Sequence, residues 1–338
     1  MKTTSLLFLI FLVTFNPFSP TLAQTVKIIF DTDMGPDYDD VGAIAVLHAL
    51  AAKGECEILA CCASDNYPTI TPTIDAFNRY FKRPDIPVGA AVKGAPGFSA
   101  KNHWNDSIVI NYLKEEKTNA DYPSAVEVYR KTLAAQKDKS VTIVTVGFVS
   151  NLEGLLQSGP DRFSPLSGME LVKKKVKNWV AMAGRYPEGS EFNVNQHAAA
   201  SYEVFQNWPT PILFSGWEIG AGMAPGAALA NTPAGNPVRR AYAMHPAKPL
   251  ENGRPSWDQT AVLAAVRGPA PRERAPVIIN NCAHPDYRAA LLDYYGRACA
   301  LRKGQTPHII GEALSWHERF QQTGTMRIPI DNQSIQDG

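Results

Sequence analysis

Val26-Lys27-Ile28-Ile29-Phe30 runs without a break into Asp31-Thr32-Asp33-Met34-Gly35-Pro36-Asp37-Tyr38-Asp39-Asp40. The first five residues hold a β-branched and aromatic run with no turn former, which predicts a buried strand. Val41–Ala52 then predicts a helix, ended by Gly54. Between them lie five carboxylates within ten residues. A helix N-terminus stabilises one or two such groups, by a few tenths to about 1 kcal/mol each. It cannot hold five, because like charges this close raise one another's pKa sharply. A divalent cation removes the conflict, and hard oxygen ligands point to calcium or magnesium.

Reading outward, strand patterns alternate with helical ones. Strands are predicted at Glu57–Cys62, Pro87–Gly89, Ser140–Val146, Asn178–Met182 and Pro211–Phe214. Helices are predicted at Pro72–Phe81, Ser124–Ala135, from Leu152 to Gln157, Gln196–Asn207 and Asp258–Val266. This alternation predicts an α/β fold: a mostly parallel, Rossmann-like open sheet with helices on both faces. Gly220–Pro255 reads as a long loop rich in Ala, Gly and Pro, of a kind that often carries function. In such sheets ligands bind beyond the carboxyl ends of the strands, where the acidic run sits.

The whole chain has 338 residues, 45% of them hydrophobic and 19% charged, with a formal net charge of +1. That leaves ample material for a core and lacks the basic excess of a nucleic-acid binder. Lys2, the apolar run Leu6–Phe15 and Thr21-Leu22-Ala23 before Gln24 form the pattern of a secretory signal peptide over residues 1–23. Ten apolar residues are too few for a span, and no run in the mature chain is long and apolar enough to cross a membrane. An exported, periplasmic or secreted, protein is the expectation, with one domain over 24–327 and a polar tail over 328–338. Cys56, Cys61, Cys62, Cys282 and Cys299 show neither a CxxC nor a zinc spacing, so neither a bridge nor a metal is assigned to them.

The string DTDMGPDYDD resembles the amino-terminal motif of the inosine-uridine nucleoside hydrolase family, in the form with two extra residues between the glycine and the paired aspartates. Further marks follow in order: Asp65-Asn66 after the second strand, Arg83-Pro84-Asp85-Ile86-Pro87-Val88, Gly147-Phe148-Val149-Ser150-Asn151, Glu191-Phe192-Asn193 and Trp257-Asp258. Together they span about Val26 to Val266. The resemblance implies calcium-dependent hydrolysis of the N-glycosidic bond of ribonucleosides. It implies calcium ligation by Asp33, Asp40, Asp258 and the carbonyl of Val146, with Asp33 also the general base. Asp39, Asn66, Glu191 and Asn193 would hold the ribose hydroxyls, and Asp37 is the alternative to Asp39 in the metal shell. It also implies a homo-oligomer with a small nucleoside substrate, while the near-zero net charge gives no sign of a nucleic-acid partner.

The residue types suit that chemistry. Glycosidic cleavage passes through an oxocarbenium-like state, which acidic groups stabilise. Glu191 and Asn193 are two apart, so on an extended segment they would face one side. Two positions depart from the family pattern. Arg185 stands where an asparagine is common, and would meet a charged or altered 5′ end. Trp257 replaces the histidine presumed to protonate the leaving base. The purine-preferring branch carries Trp-Asp here, so stacking on a purine is the expected role, with Trp104 as a second stacking face. His103 and His197 are the remaining acid candidates. Two other readings compete. A haloacid-dehalogenase-like phosphatase shares an aspartate pair after the first strand, but leaves Glu-Phe-Asn and Trp-Asp without a role. A non-catalytic calcium-dependent riboside- or sugar-binding protein would keep the site and lose the reaction.

Overall fold

The computed structural model describes residues 25–186 and 189–268. The signal-peptide pattern, Cys282, Cys299 and the polar tail lie outside the described residues.

The chain runs β1 (Val26–Thr32), α1 (Asp39–Ala52), β2 (Cys56–Ala63), α2 (Ile70–Tyr80), β3 (Val88–Gly89), α3 (Trp104–Ile108) and α4 (Ala125–Ala134). It continues through β4 (Val141–Thr145), α5 (Ser150–Gln157), α6 (Gly168–Lys175), β5 (Val176–Met182), α7 (Phe192–Gln196) and α8 (Ala198–Asn207). The last elements are β6 (Ile212–Ser215), α9 (Trp217–Ala221), α10 (Pro237–Met244), α11 (Pro249–Asn252) and α12 (Trp257–Arg267). The sheet order is β3-β2-β1-β4-β5-β6, and every ladder is parallel. Each predicted strand lies within two residues of an observed one at either end.

Parallel strands need helical crossovers, which cover both faces. Period-two alternation then sorts the strand side chains between two cores. Ile28 and Phe30 of β1 pack with Val41, Ile44 and Leu47 of α1 and Val262 of α12. Ile29 faces the other way, among Tyr129 and Leu133 of α4, Leu152 of α5 and Val172 of α6. Local signals start several helices. Ser124 accepts from the Glu127 N–H ahead of α4, and Ser167 and Glu170 form a reciprocal cap on α6.

Two expectations need correction. Gly220–Pro255 is not a plain loop: Asn236 caps α10, whose first residue is Pro237, and α11 follows. Proline at the first helical position has a preset φ and no donor to waste, so the sequence signal was present. The helix expected over Gln196–Asn207 is α8, which starts two residues later: Gln196 instead ends α7, and His197, at φ −137° and ψ 61°, separates the two.

β1 lies between β2 and β4, and the sheet order reverses there. Beyond the carboxyl ends of β1 and β4 the crossovers diverge and leave a crevice, the usual ligand position in such sheets.

Candidate active site

The crevice is a cleft of about 260 Å³ lined by Asp33, Pro36, Asp37, Asp39, Val146, Met182, Glu191, Phe192, Asn193, Trp217, Trp257 and Asp258. Asp33 follows β1, Val146 follows β4 and Met182 ends β5. Asp39 opens α1, and Asp258 is the second residue of α12. Both helices therefore point their positive N-terminal ends at the acid cluster. Gly147 lets β4 approach this closely: a Cβ there would lie 2.4 Å from the Asp33 nitrogen and 2.6 Å from Ser64 Oγ.

Asp33, Asp39, Asp40 and Asp258 are each 4% exposed or less. Burial is the largest cause of their raised carboxyl pKa values, followed by mutual repulsion: Asp40 and Asp37 act on Asp33, and Asp39 and Asp40 on Asp258. For Asp40 the value is pushed up to about 7, by burial and by Asp37. One oxygen of Asp40 accepts from Thr32 Oγ1 and from the Met34 N–H, while its Oδ2 is buried without a partner. Carboxylate oxygens of Asp37, Asp39 and Asp40 come within 4.8 Å of one another, a set that could hold a metal ion.

Asp31 leaves the cluster. It continues the Ile29 face of β1, on the far side of the sheet. Tyr129 donates to its Oδ2 at 2.8 Å and Asn151 Nδ2 at 3.0 Å, and burial pushes its carboxyl up to about 7.

Glu191 and Asn193 both line the cleft, but not on an extended segment. Glu191 caps α7, accepting the Asn193 N–H at 2.9 Å, the Gly184 N–H at 3.1 Å and the Val194 N–H at 3.2 Å. Asn193 lies inside the helix and donates through Nδ2 to the Val146 carbonyl at 3.1 Å. A helix start, rather than strand alternation, brings the pair together.

The indole of Trp257 stacks on that of Trp217, with centroids 6.1 Å apart and planes at 28°, and Trp257 Nε1 donates to the Trp217 carbonyl at 2.7 Å. Trp217 has no counterpart among the expected residues. The sequence held a hint of it, since it follows β6 as the acidic run follows β1. Trp104 is not the second stacking face. It is fully buried and stacked on Tyr38 at 5.1 Å, so no face is open to a ligand.

Four other expected residues lie off the cleft wall. Asn66 Nδ2 is engaged by the Ala95 carbonyl at 2.8 Å and the Val92 carbonyl at 3.2 Å, where it ties down the segment after β3. Arg185 is exposed, its guanidinium 4.4 Å from the Trp217 ring centroid. His103 bonds the Tyr67 hydroxyl at 3.1 Å, and His197 meets Ser150 Oγ at 2.6 Å. Neither histidine lines the cleft.

Arg254 is the charged residue that sequence reasoning missed. Its Nη2 lies 2.8 Å from Asp37 Oδ2 and 3.6 Å from Asp39 Oδ1. Its Nη1 is 3.0 Å from His245 Nε2, and its guanidinium is 5.8 Å from the Trp257 ring centroid. No local motif marks it; it sits 217 residues from Asp37 in the chain.

A profile of the inosine-uridine preferring nucleoside hydrolase family matches residues 28–320, and the chain belongs to that family. The fold is similar to that of a plant nucleoside hydrolase, with 19% identity, a TM-score of 0.52, and coverage of 71% of this chain and 78% of the other. A purine-preferring ribonucleoside hydrolase from Gardnerella vaginalis is similar at 19% identity and a TM-score of 0.52, over 71% of this chain and 79% of that one. The type III effector XopQ, solved with adenosine diphosphate ribose, aligns at 17% identity and a TM-score of 0.56, over 81% of this chain and 93% of its own.

Short stretches also match curated proteins of another kind. A succinyl-CoA:acetate CoA-transferase of Clostridium kluyveri is 49% identical over 65 residues, 19% of this chain and 12% of that protein. An acetyl-CoA hydrolase of Saccharomyces cerevisiae is 43% identical over 77 residues, 20% of this chain and 15% of that protein. The chain thus spans only a small part of these relatives' length.

Proposed function

We propose that the protein is an exported, calcium-dependent N-ribohydrolase that prefers purine nucleosides and yields free base and ribose. The observation that carries this reading is the sealed acid cluster at the sheet reversal, set against an aromatic wall in one cleft. The donors fit calcium: Asp33, Asp258 and Val146 line one cleft, and the buried Asp40 beside them has a carboxylate oxygen without a partner. Asp33, Asp40, Asp258 and the Val146 carbonyl would hold it, in the longer-spaced motif branch. Calcium bound there supplies a template for neighbouring hydroxyls and a water, and lowers the pKa of that water.

Asp33 takes the proton of the attacking water. Asp39 and Asn193 bind the ribose hydroxyls, and Glu191 holds Asn193 in place through the cap of α7. The remaining negative charge of the cluster stabilises the positive sugar as the glycosidic bond breaks. Trp257 stacks on the purine, its indole fixed by the hydrogen bond to Trp217. The amino-terminal pattern supports action on nucleosides outside the cytoplasm.

Ribose release from a panel of purine and pyrimidine nucleosides, with calcium and then with chelator, tests the reading. Purine turnover that chelator abolishes is the expected result. Calcium binding without turnover of any nucleoside would reject the hydrolase and leave the riboside-binding protein.

Two tryptophan variants test the aromatic wall. Trp257→Ala is expected to raise KM for purine nucleosides about 5- to 100-fold, the loss of one base–aromatic stack. Trp104→Ala is expected to act on stability, at about 3–5 kcal/mol, because it empties a core position. A raised KM in Trp104→Ala at an unchanged Tm would overturn this assignment.

A further inference from the structure

The acid cluster contains five carboxylates once Asp258 replaces Asp31: Asp33, Asp37, Asp39, Asp40 and Asp258. They are not equivalent. Four are sealed from solvent, whereas the Asp37 side chain is 47% exposed and sits at the mouth. Asp37 lies on the segment between Gly35 and α1, two residues before Asp39.

We propose that Arg254 is the resident counter-ion of this site and that it withholds Asp37 from the cation shell. Its Nη2 contact to Asp37 Oδ2, at 2.8 Å, is a charge-assisted hydrogen bond, and the same nitrogen is 3.6 Å from Asp39 Oδ1. The guanidinium is held from behind. The Arg254 side chain is only 13% exposed, its backbone N–H donates to the Pro225 carbonyl at 2.9 Å, and Nη1 meets His245. A partly desolvated guanidinium tied at several points is a fixed charge rather than a surface arm. A divalent ion and Arg254 together balance three of the five negative charges, and two remain to face the developing positive sugar. Without Arg254, Asp37 is free to turn to the other oxygens, with which it already forms a set inside 4.8 Å. Arg254 is therefore a positioning residue: it sets which carboxylates bind the cation by occupying the one that must not.

This inference rests on the reading that a divalent cation fills the cluster, and direct calcium binding separates the two. Calcium alone is titrated calorimetrically into the full-length mature protein and its Asp37→Asn, Arg254→Met and doubly substituted forms. Asp37→Asn is expected to keep one calcium per chain, within about threefold of the parent affinity. Arg254→Met is expected to bind calcium about tenfold more tightly, as the freed Asp37 joins the shell. The double variant is expected to return to the affinity of Asp37→Asn. If the gain came only from the lost positive charge, and not from Asp37 joining the shell, it would persist without the Asp37 carboxylate. Persistence of the tenfold gain in the double variant therefore overturns the proposal. So does a loss of about 100-fold or more in Asp37→Asn, which would make Asp37 a ligand. Asp37 is half exposed, and Asp37→Asn decides this point even if Arg254→Met does not fold. No calcium binding by the parent protein would overturn the functional reading and this inference together.

Discussion

Asp33→Asn is expected to lower kcat for purine nucleosides by about 10²- to 10⁴-fold, the range for losing a positioned general base. Asparagine keeps the size of the side chain and one oxygen donor, but it cannot take a proton from water. Asp33 is 4% exposed at the carboxyl end of β1, with the Gly147 backbone pressed against its own backbone and Cβ, so the position of its carboxylate on the cleft wall is fixed. The other buried carboxylates are poor substitutes, because Asp40 and Asp258 are assigned to the cation, Asp39 to the sugar and Glu191 to the cap of α7. Steady-state kinetics on the best purine substrate, with calcium titrated in parallel, checks this. A kcat within about threefold of the parent would remove Asp33 from the reaction.

The second large effect falls on stability. Trp179 is fully buried in β5, stacked on Phe205 at 5.1 Å and packed against Trp208 at 4.8 Å. Its Nε1 donates to Thr145 Oγ1 on β4 at 2.9 Å. Trp179→Ala is expected to cost about 3–5 kcal/mol, from lost burial and the cavity left behind. At about 2–4 °C per kcal/mol for a chain of this size class, Tm should fall by roughly 6–20 °C. Trp179→Phe keeps the stacking surface and loses only the indole N–H and part of the volume, so it should cost less than half as much. Calorimetric melts in the presence of calcium measure both. A drop below about 1 kcal/mol for the alanine variant would mean that the two aromatic neighbours close over the gap.

Much of the fold was open to reading because its signals are local. Val26–Phe30 and Ser140–Val146 are β-branched runs bounded by breakers, and burial on both faces leaves such strands little to mix with. The acidic run was readable for the same reason, since five carboxylates in one short stretch are an electrostatic statement before any folding. Where the reading failed, a partner distant in sequence was responsible. Trp104 and Trp257 look alike as letters. One is sealed beneath Tyr38, whereas the other lies on the cleft wall against Trp217. Asn66 has the right type and place after a strand, yet two carbonyls of the next loop engage its amide.

By itself the sequence determined the α/β class, the position of the acid cluster at the end of β1 and the family, because strand periodicity and local charge density are properties of contiguous residues. The tertiary structure alone decided which carboxylates share the cleft. The pleat sends Asp31 to Tyr129 across the sheet, while the packing of α12 against α1 carries Asp258 in from the other end of the described chain. It also decided that Arg254 meets Asp37. A guanidinium and a carboxylate 217 residues apart acquire a fixed distance only when the segment before α12 folds back over the motif. The physical reason is the same in each case: Coulomb and packing energies depend on distances in space, and the chain sets those distances only once it has closed.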